Sequence, residues 1–156
     1  MDVGALARLI VIDIVVICLV AIVIGGSAPR WPDRWLQRDR GPLRLTRLDT
    51  VDRYRRIGIG WWARVLPEGG SWLGGESKSA LPGRDAESLR HYLVEVRRGE
   101  WVHWLMMFAW VPLIFFNPWW LTLLFAVIVF FVNLLFLLVL RYNQLRLTAL
   151  LDRMQR

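Results

Sequence analysis

Residues 119–140 form an unbroken run of 22 residues without an ionisable side chain, and no other feature constrains the fold as strongly. At 1.5 Å per residue a helix of this length reaches about 33 Å, enough to cross a hydrocarbon layer of about 30 Å. A second apolar run, Leu6–Ile24, is interrupted by Arg8 and Asp13. A third, Trp101–Phe116, reaches only about 24 Å and crosses if its flanking tryptophans sit in the interfaces. Asn117-Pro118 then marks a turn before the longest run begins. Hydrophobic residues make up 56% of the chain while 21% are charged, so the two kinds are segregated into blocks. That pattern excludes a disordered chain, and a single cysteine, Cys18, excludes a disulfide-stapled scaffold. The expected fold is an all-α, small integral membrane protein with about three transmembrane helices and a cytoplasmic amphipathic interfacial segment.

Gly25-Gly26-Ser27-Ala28 resembles a signal-peptide cleavage site, but Asp2 and Arg8 cancel where a positive n-region is expected, which favours an uncleaved anchor. Of the 20 basic residues, 15 lie between Arg30 and Arg98 and four follow Leu140, leaving Arg8 alone on the first run. The positive-inside rule therefore predicts a multi-pass protein of the cell membrane with its N-terminus outside and its C-terminus cytoplasmic. The organisation expected is an N-terminal anchor (1–29), cytoplasmic interfacial helices with a Gly-rich loop (30–100), a transmembrane hairpin (101–140) and a basic tail (141–156).

Within the interfacial part, Leu45, Leu48, Val51, Tyr54, Ile57, Trp61 and Val65 recur at three or four residues, with arginines 44, 47, 53, 55 and 56 between them. This periodicity predicts a surface helix with its apolar side in the headgroup boundary and its arginines toward anionic lipid, although Gly58 and Gly60 weaken its second half. Leu66-Pro67 ends it, and a glycine-rich loop carrying Lys78 follows. A further helix is expected to start at Asp85 as N-cap, with Glu87 in its first turn, and to run through His103. The formal charge of +7 accompanies so apolar a composition that anionic membrane surfaces, not nucleic acid, are the expected partner.

Candidate chemistry concentrates at the cytoplasmic membrane boundary. Glu100 and His103 share one helix face, and a carboxylate beside an imidazole can orient the ring and stabilise its protonated form. The structural alternative pairs Glu100 with Arg97 and leaves His103 as an interfacial histidine. A chain reversal at position 118 places His103 opposite Asn133, the strongly polar residue deep in the longest run. Asn133 is then either a member of the site or a hydrogen-bonding contact between helices. Together Glu100, His103, Asn133, Arg141, Tyr142, Asn143 and Arg146 are expected to line one pocket, with Glu95 near Tyr142 and Asn143. Asp13, toward the other side, is read as structural. Two histidines and one cysteine do not make a metal site, and no P-loop, GxGxxG or GxSxG motif is present.

From about Trp61 onward the chain resembles the glycosyl-diaponeurosporenoate acyltransferase family. The resemblance rests on WARVLPEGGSWLGGESKSAL, LVEVRRGEWVHW, Asn117-Pro118 and NLLFLLVLRYNQLRL; Gln144-Leu145 stand where the family usually has arginine and proline. It implies a membrane O-acyltransferase that moves a fatty acyl group onto a sugar hydroxyl of a glycosylated carotenoid, isoprenoid or related glycolipid, as in the last step toward staphyloxanthin. Glu100 and His103 would be catalytic, and Lys78, Glu95, Arg97, Asn133, Arg141, Tyr142, Asn143 and Arg146 would bind substrate. No cofactor is expected to be bound. The acyl donor would be acyl-CoA or an acyl carrier protein, its phosphates met by Arg97, Arg141 and Arg146, and Asn133 or backbone amides would stabilise the oxyanion. Expected partners are thus a lipid acceptor, an acyl thioester and anionic membrane lipids. The alternative from another class is a non-catalytic membrane adaptor that binds anionic lipid or a partner enzyme through its arginines.

Overall fold

The longest apolar run lies in a helix of 36 residues, α5 (Trp119–Met154), capped at its start by Pro118. Its length of about 54 Å exceeds a hydrocarbon layer by about 24 Å, so the polar segment from Arg141 onward extends past the membrane. The computed structural model describes residues 2–37, 41–65 and 85–156. These residues are helical or irregular, with no strand among them. Lys78 and the rest of the glycine-rich loop lie outside the described residues.

Among the described residues five α-helices form: α1 (Val3–Ser27), α2 (Val51–Arg56), α3 (Ile59–Val65), α4 (Ala86–Met106) and α5. Two of them, α1 and α5, are long and apolar enough to cross a membrane. The expected span Trp101–Phe116 does not form a continuous helix. α4 ends at Met106, a turn follows, and residues Val111–Phe115 make a 3-10 segment with Pro112 in its first turn. Proline lacks the N–H that an α-helix needs and disfavours helical geometry in the preceding residue, so Val111-Pro112 stops α4 from running on to Asn117.

α4 starts where Asp85 can cap it, the carboxylate accepting from the amides of Glu87 and Ser88 at 3.0 and 2.9 Å. Its first half packs Leu89, Tyr92, Leu93 and Val96 against Leu147 and Leu151 of α5. At Gly99 the helices approach closely, since a β-carbon there would lie 3.3 Å from the Leu140 methyl groups. The opposite face of α5 carries α2 and α3, with Tyr54 and Ile59 packed on Val139 and Tyr142.

The expected single surface helix over 45–65 is in fact two. Thr50 caps α2, its hydroxyl accepting from the Arg53 amide, and Gly58 at φ +78° breaks the helix before α3 begins. The break divides the apolar positions: Tyr54 turns inward to α5, whereas Leu48, Ile57, Trp61 and Val65 stay exposed beside exposed arginines 44, 47, 53, 55 and 56. α1 touches α4 and the 3-10 segment, and the fully buried Asp13 accepts a hydrogen bond from Asn117 Nδ2 at 2.8 Å.

Candidate functional site

The site is built where the last turns of α4 pack against the apolar run of α5. His103 sits near the end of α4, half-buried, with Nδ1 2.9 Å from Oδ1 of Asn133. Its ring lies parallel to Phe136, with centroids 4.9 Å apart and planes within 2°. Asn133 and Phe136 are three apart on α5 and present one face to the imidazole. The juxtaposition of His103 and Asn133 expected from the hairpin is therefore present. Asn133 also donates from Nδ2 to the Val129 carbonyl at 2.8 Å.

One turn before His103, Glu100 is completely buried. Its Oε2 lies 3.6 Å from Nη1 of Arg141, close enough for an ion pair but long for a hydrogen bond. Arg141 turns its other donors to protein groups. Nε and Nη2 hold the two oxygens of Asp49 at 3.2 and 2.8 Å, Nη1 donates to the Pro42 carbonyl at 2.8 Å, and Nη2 donates to the Arg44 carbonyl at 2.9 Å. A guanidinium has five N–H groups, and this one makes four hydrogen bonds, to the Asp49 carboxylate and two carbonyls, with Glu100 at ion-pair distance. The side chain expected at the donor's phosphates thus binds α5 to segment 41–49.

Asp49 accepts in addition from the Thr46 amide and hydroxyl at 2.7 and 2.8 Å and from the Tyr54 hydroxyl at 2.5 Å. Burial alone would raise its carboxyl, but the hydrogen bonds from Arg141, Tyr54 and Thr46 outweigh it and hold the group well below the usual carboxylate range. Burial, together with the charge of Asp49, pushes the Tyr54 phenol above its ordinary value. Neither residue shows in the sequence as a site member. The one available signal was Arg141 itself, a cation at the end of an apolar run that needs a carboxylate partner.

The remaining expected residues divide by role. Arg97, buried in α4, donates from Nη1 to the carbonyls of Leu36 and Gln37 at 3.1 and 2.9 Å. Arg98 bridges Glu95 and Asp33, so Glu95 is part of an ion-pair chain. Gln144, completely buried, donates to the Leu43 carbonyl at 3.3 Å. Arg97, Arg141 and Gln144 together fasten the segments around Leu36 and Leu43 over the middle parts of α4 and α5, and both leucines are almost fully buried there. Tyr142 is buried with its ring tilted 55° against Tyr54, and the exposed Arg146 lies 5.6 Å from its centroid. Asn143 is half-buried.

A family model described as glycosyl-4,4'-diaponeurosporenoate acyltransferase matches residues 32–153, more than three quarters of the chain. The chain belongs to this family. No curated protein and no solved structure matches it. Membership in the glycosyl-4,4'-diaponeurosporenoate acyltransferase family supports an acyltransferase of glycocarotenoid biosynthesis. The matched region begins just after α1. It contains His103, Asn133, Glu100 and the Asp49–Arg141 network, whereas Asp13 lies outside it.

Proposed function

We propose that this protein transfers a fatty acyl group from a thioester, carried on coenzyme A or an acyl carrier protein, to a sugar hydroxyl of a glycosylated carotenoid or related membrane glycolipid. The observation that carries the reading is the imidazole of His103, held between Asn133 and Phe136 where α4 reaches the apolar layer. An amphiphilic acceptor with its chain in the membrane presents its sugar at this depth. His103 takes the hydroxyl proton as the oxygen attacks the thioester carbonyl. The C–S bond then breaks, and the departing thiolate recovers that proton from the imidazolium. Glu100, one turn away, supplies negative charge that favours the imidazolium. The catalytic pair is thus His103 and Glu100.

The exposed Arg146 meets the donor's phosphates, with Lys78 of the glycine-rich loop as a second cation; Tyr142 and Asn143 flank that approach. The exposed arginines of segment 44–56 and the neighbouring Leu48, Ile57, Trp61 and Val65 rest on an anionic cytoplasmic leaflet, the arginines toward headgroups and the apolar side chains below them. On this reading the site and the C-terminus are cytoplasmic and the N-terminus is outside.

Lipid analysis of a deletion strain tests the reaction. Loss of one acylated glycolipid, with accumulation of its deacylated precursor, is expected. Re-expression of His103→Gln should fail to restore the product, at a cost of about 10²-fold or more in rate. A triple change of Arg53, Arg55 and Arg56 to glutamine should still restore it. An unchanged lipid profile on deletion, or restoration by His103→Gln but not by the arginine variant, would favour the adaptor.

A further inference from the structure

Which nitrogen of His103 is the base depends on where its hydrogen resides, and the amide of Asn133 decides that. The two ends of a carboxamide are alike in shape, so hydrogen bonding determines which is oxygen and which is nitrogen. At Asn133 one end meets the Val129 carbonyl at 2.8 Å in a buried setting. Reversal of the amide would set two oxygens against each other there without a hydrogen between them. The nitrogen therefore faces Val129, and the oxygen faces His103 Nδ1 at 2.9 Å. That oxygen is solely an acceptor, so Nδ1 must carry a hydrogen.

We infer that Asn133 is a positioning residue that fixes His103 in the Nδ1–H tautomer, which places the lone pair of the neutral ring, and hence the base, on Nε2. The side chain of a histidine free in water favours the Nε2–H tautomer, so the protein imposes this one. Phe136 contributes the second constraint: stacking within 2° fixes the ring plane while Asn133 fixes the rotation within it. Both lie on a single helix, so the imidazole from α4 is set by α5. Asn133 thus takes an orienting role from α5. The tautomer itself is independent of the proposed reaction; only its use as a base rests on that reading.

Nitrogen NMR of the full-length protein, labelled with 15N-histidine and held in lipid nanodiscs, tests the assignment. His91→Gln leaves one imidazole to observe. Above the titration range of histidine, the wild-type ring should show a protonated Nδ1 and an unprotonated Nε2. Asn133→Leu should shift it toward the Nε2–H form, whereas Asn133→Asp should keep Nδ1–H, its protonated carboxyl donating to the Val129 carbonyl as the amide does while its other oxygen accepts from Nδ1. A ring found as Nε2–H in the protein with Asn133 intact overturns the inference, as does an Asn133→Leu ring that stays Nδ1–H. If Asn133→Leu does not fold, the unaltered site and Asn133→Asp still decide. The readout needs no substrate, so the expected tautomer in a protein without acyl transfer would count against the proposed reaction alone. Where both hold, Asn133→Leu lowers kcat on the order of 10²-fold with KM little changed, and Asn133→Asp restores most of it.

Discussion

Asp49 receives five hydrogen bonds, from Thr46, Tyr54 and Arg141, although it lies 92 residues from the last of these. Its folded-state carboxyl is depressed, burial being outweighed by the donors around it. A depressed carboxyl contributes stability that is complete above its unfolded value of about 4 and is lost as pH falls through the lower folded value. Tyr54 has the opposite sign. Its phenol is raised, so its share is complete below about 10 and is lost as pH rises through the higher folded value. The network therefore holds constant strength from about pH 5 to 9. Asp49→Ala leaves Arg141 with Glu100 at 3.6 Å as its remaining carboxylate and strips Tyr54 of its acceptor. Thermal unfolding in detergent should show a loss of about 2–3 kcal/mol near neutral pH, with a much smaller difference from wild type in strong acid. An equal difference at both pH values would refute the assignment of that stability to the ionised carboxylate.

At the scale of elements, α4 and α5 govern the site because it consists of residues from both. Gly99 lies one helical turn before His103, and a β-carbon there already approaches Leu140 to 3.3 Å. Alanine asks the Leu140 methyl groups to move by tenths of an ångström, which a flexible side chain allows. Valine asks for more and wedges the helices apart beside the His103–Asn133 contact. Gly99→Val should lower acyl transfer much more than Gly99→Ala does, at a stability cost of about 1–3 kcal/mol, seen by assaying both variants at equal folded concentration. The start of α4 was legible from Asp85, and that of α5 from Asn117-Pro118, since caps and turns are local signals. That no single helix could run through Trp101–Phe116 was also written in the chain at Pro112, but the continuous apolar composition hid it: hydropathy counts residues and does not register a missing N–H. Gly58 marked the break between α2 and α3. The inward turn of Tyr54 was not legible, because periodicity predicts an apolar face and does not say whether lipid or another helix covers it.

For the whole molecule, the expected side-to-side arrangement rests on the arginine distribution, and it yields a direct check. With Cys18 replaced, single cysteines at positions 2 and 154 should react with an impermeant maleimide from opposite sides of sealed vesicles; reaction of both from one side would reject the proposed orientation. His103 and Asn133 could be paired from sequence by counting outward from the turn, since both belong to one hairpin. Asp49, Tyr54 and the carbonyls that Arg97, Arg141 and Gln144 grip could not, because they come from segments 31–37 and 41–54, and nothing in the spacing of those segments encodes a partner some 60 to 100 residues away. The bond from Asn117 to Asp13 joins equally distant parts and sets a relation in depth. Leu6–Ile24 has its midpoint at Val15, two residues from Asp13, whereas Asn117 lies just before the first residue of Trp119–Leu140. The middle of one greasy stretch is thereby held level with the end of the other, an offset of about 15 Å, or half a hydrocarbon layer. No flat slab covers both helices upright. α1 leans or the surrounding lipid thins, at fractions of a kcal/mol for each ångström of mismatch. Added over such an offset, that strain ties the protein's stability to the length of the lipid chains around it.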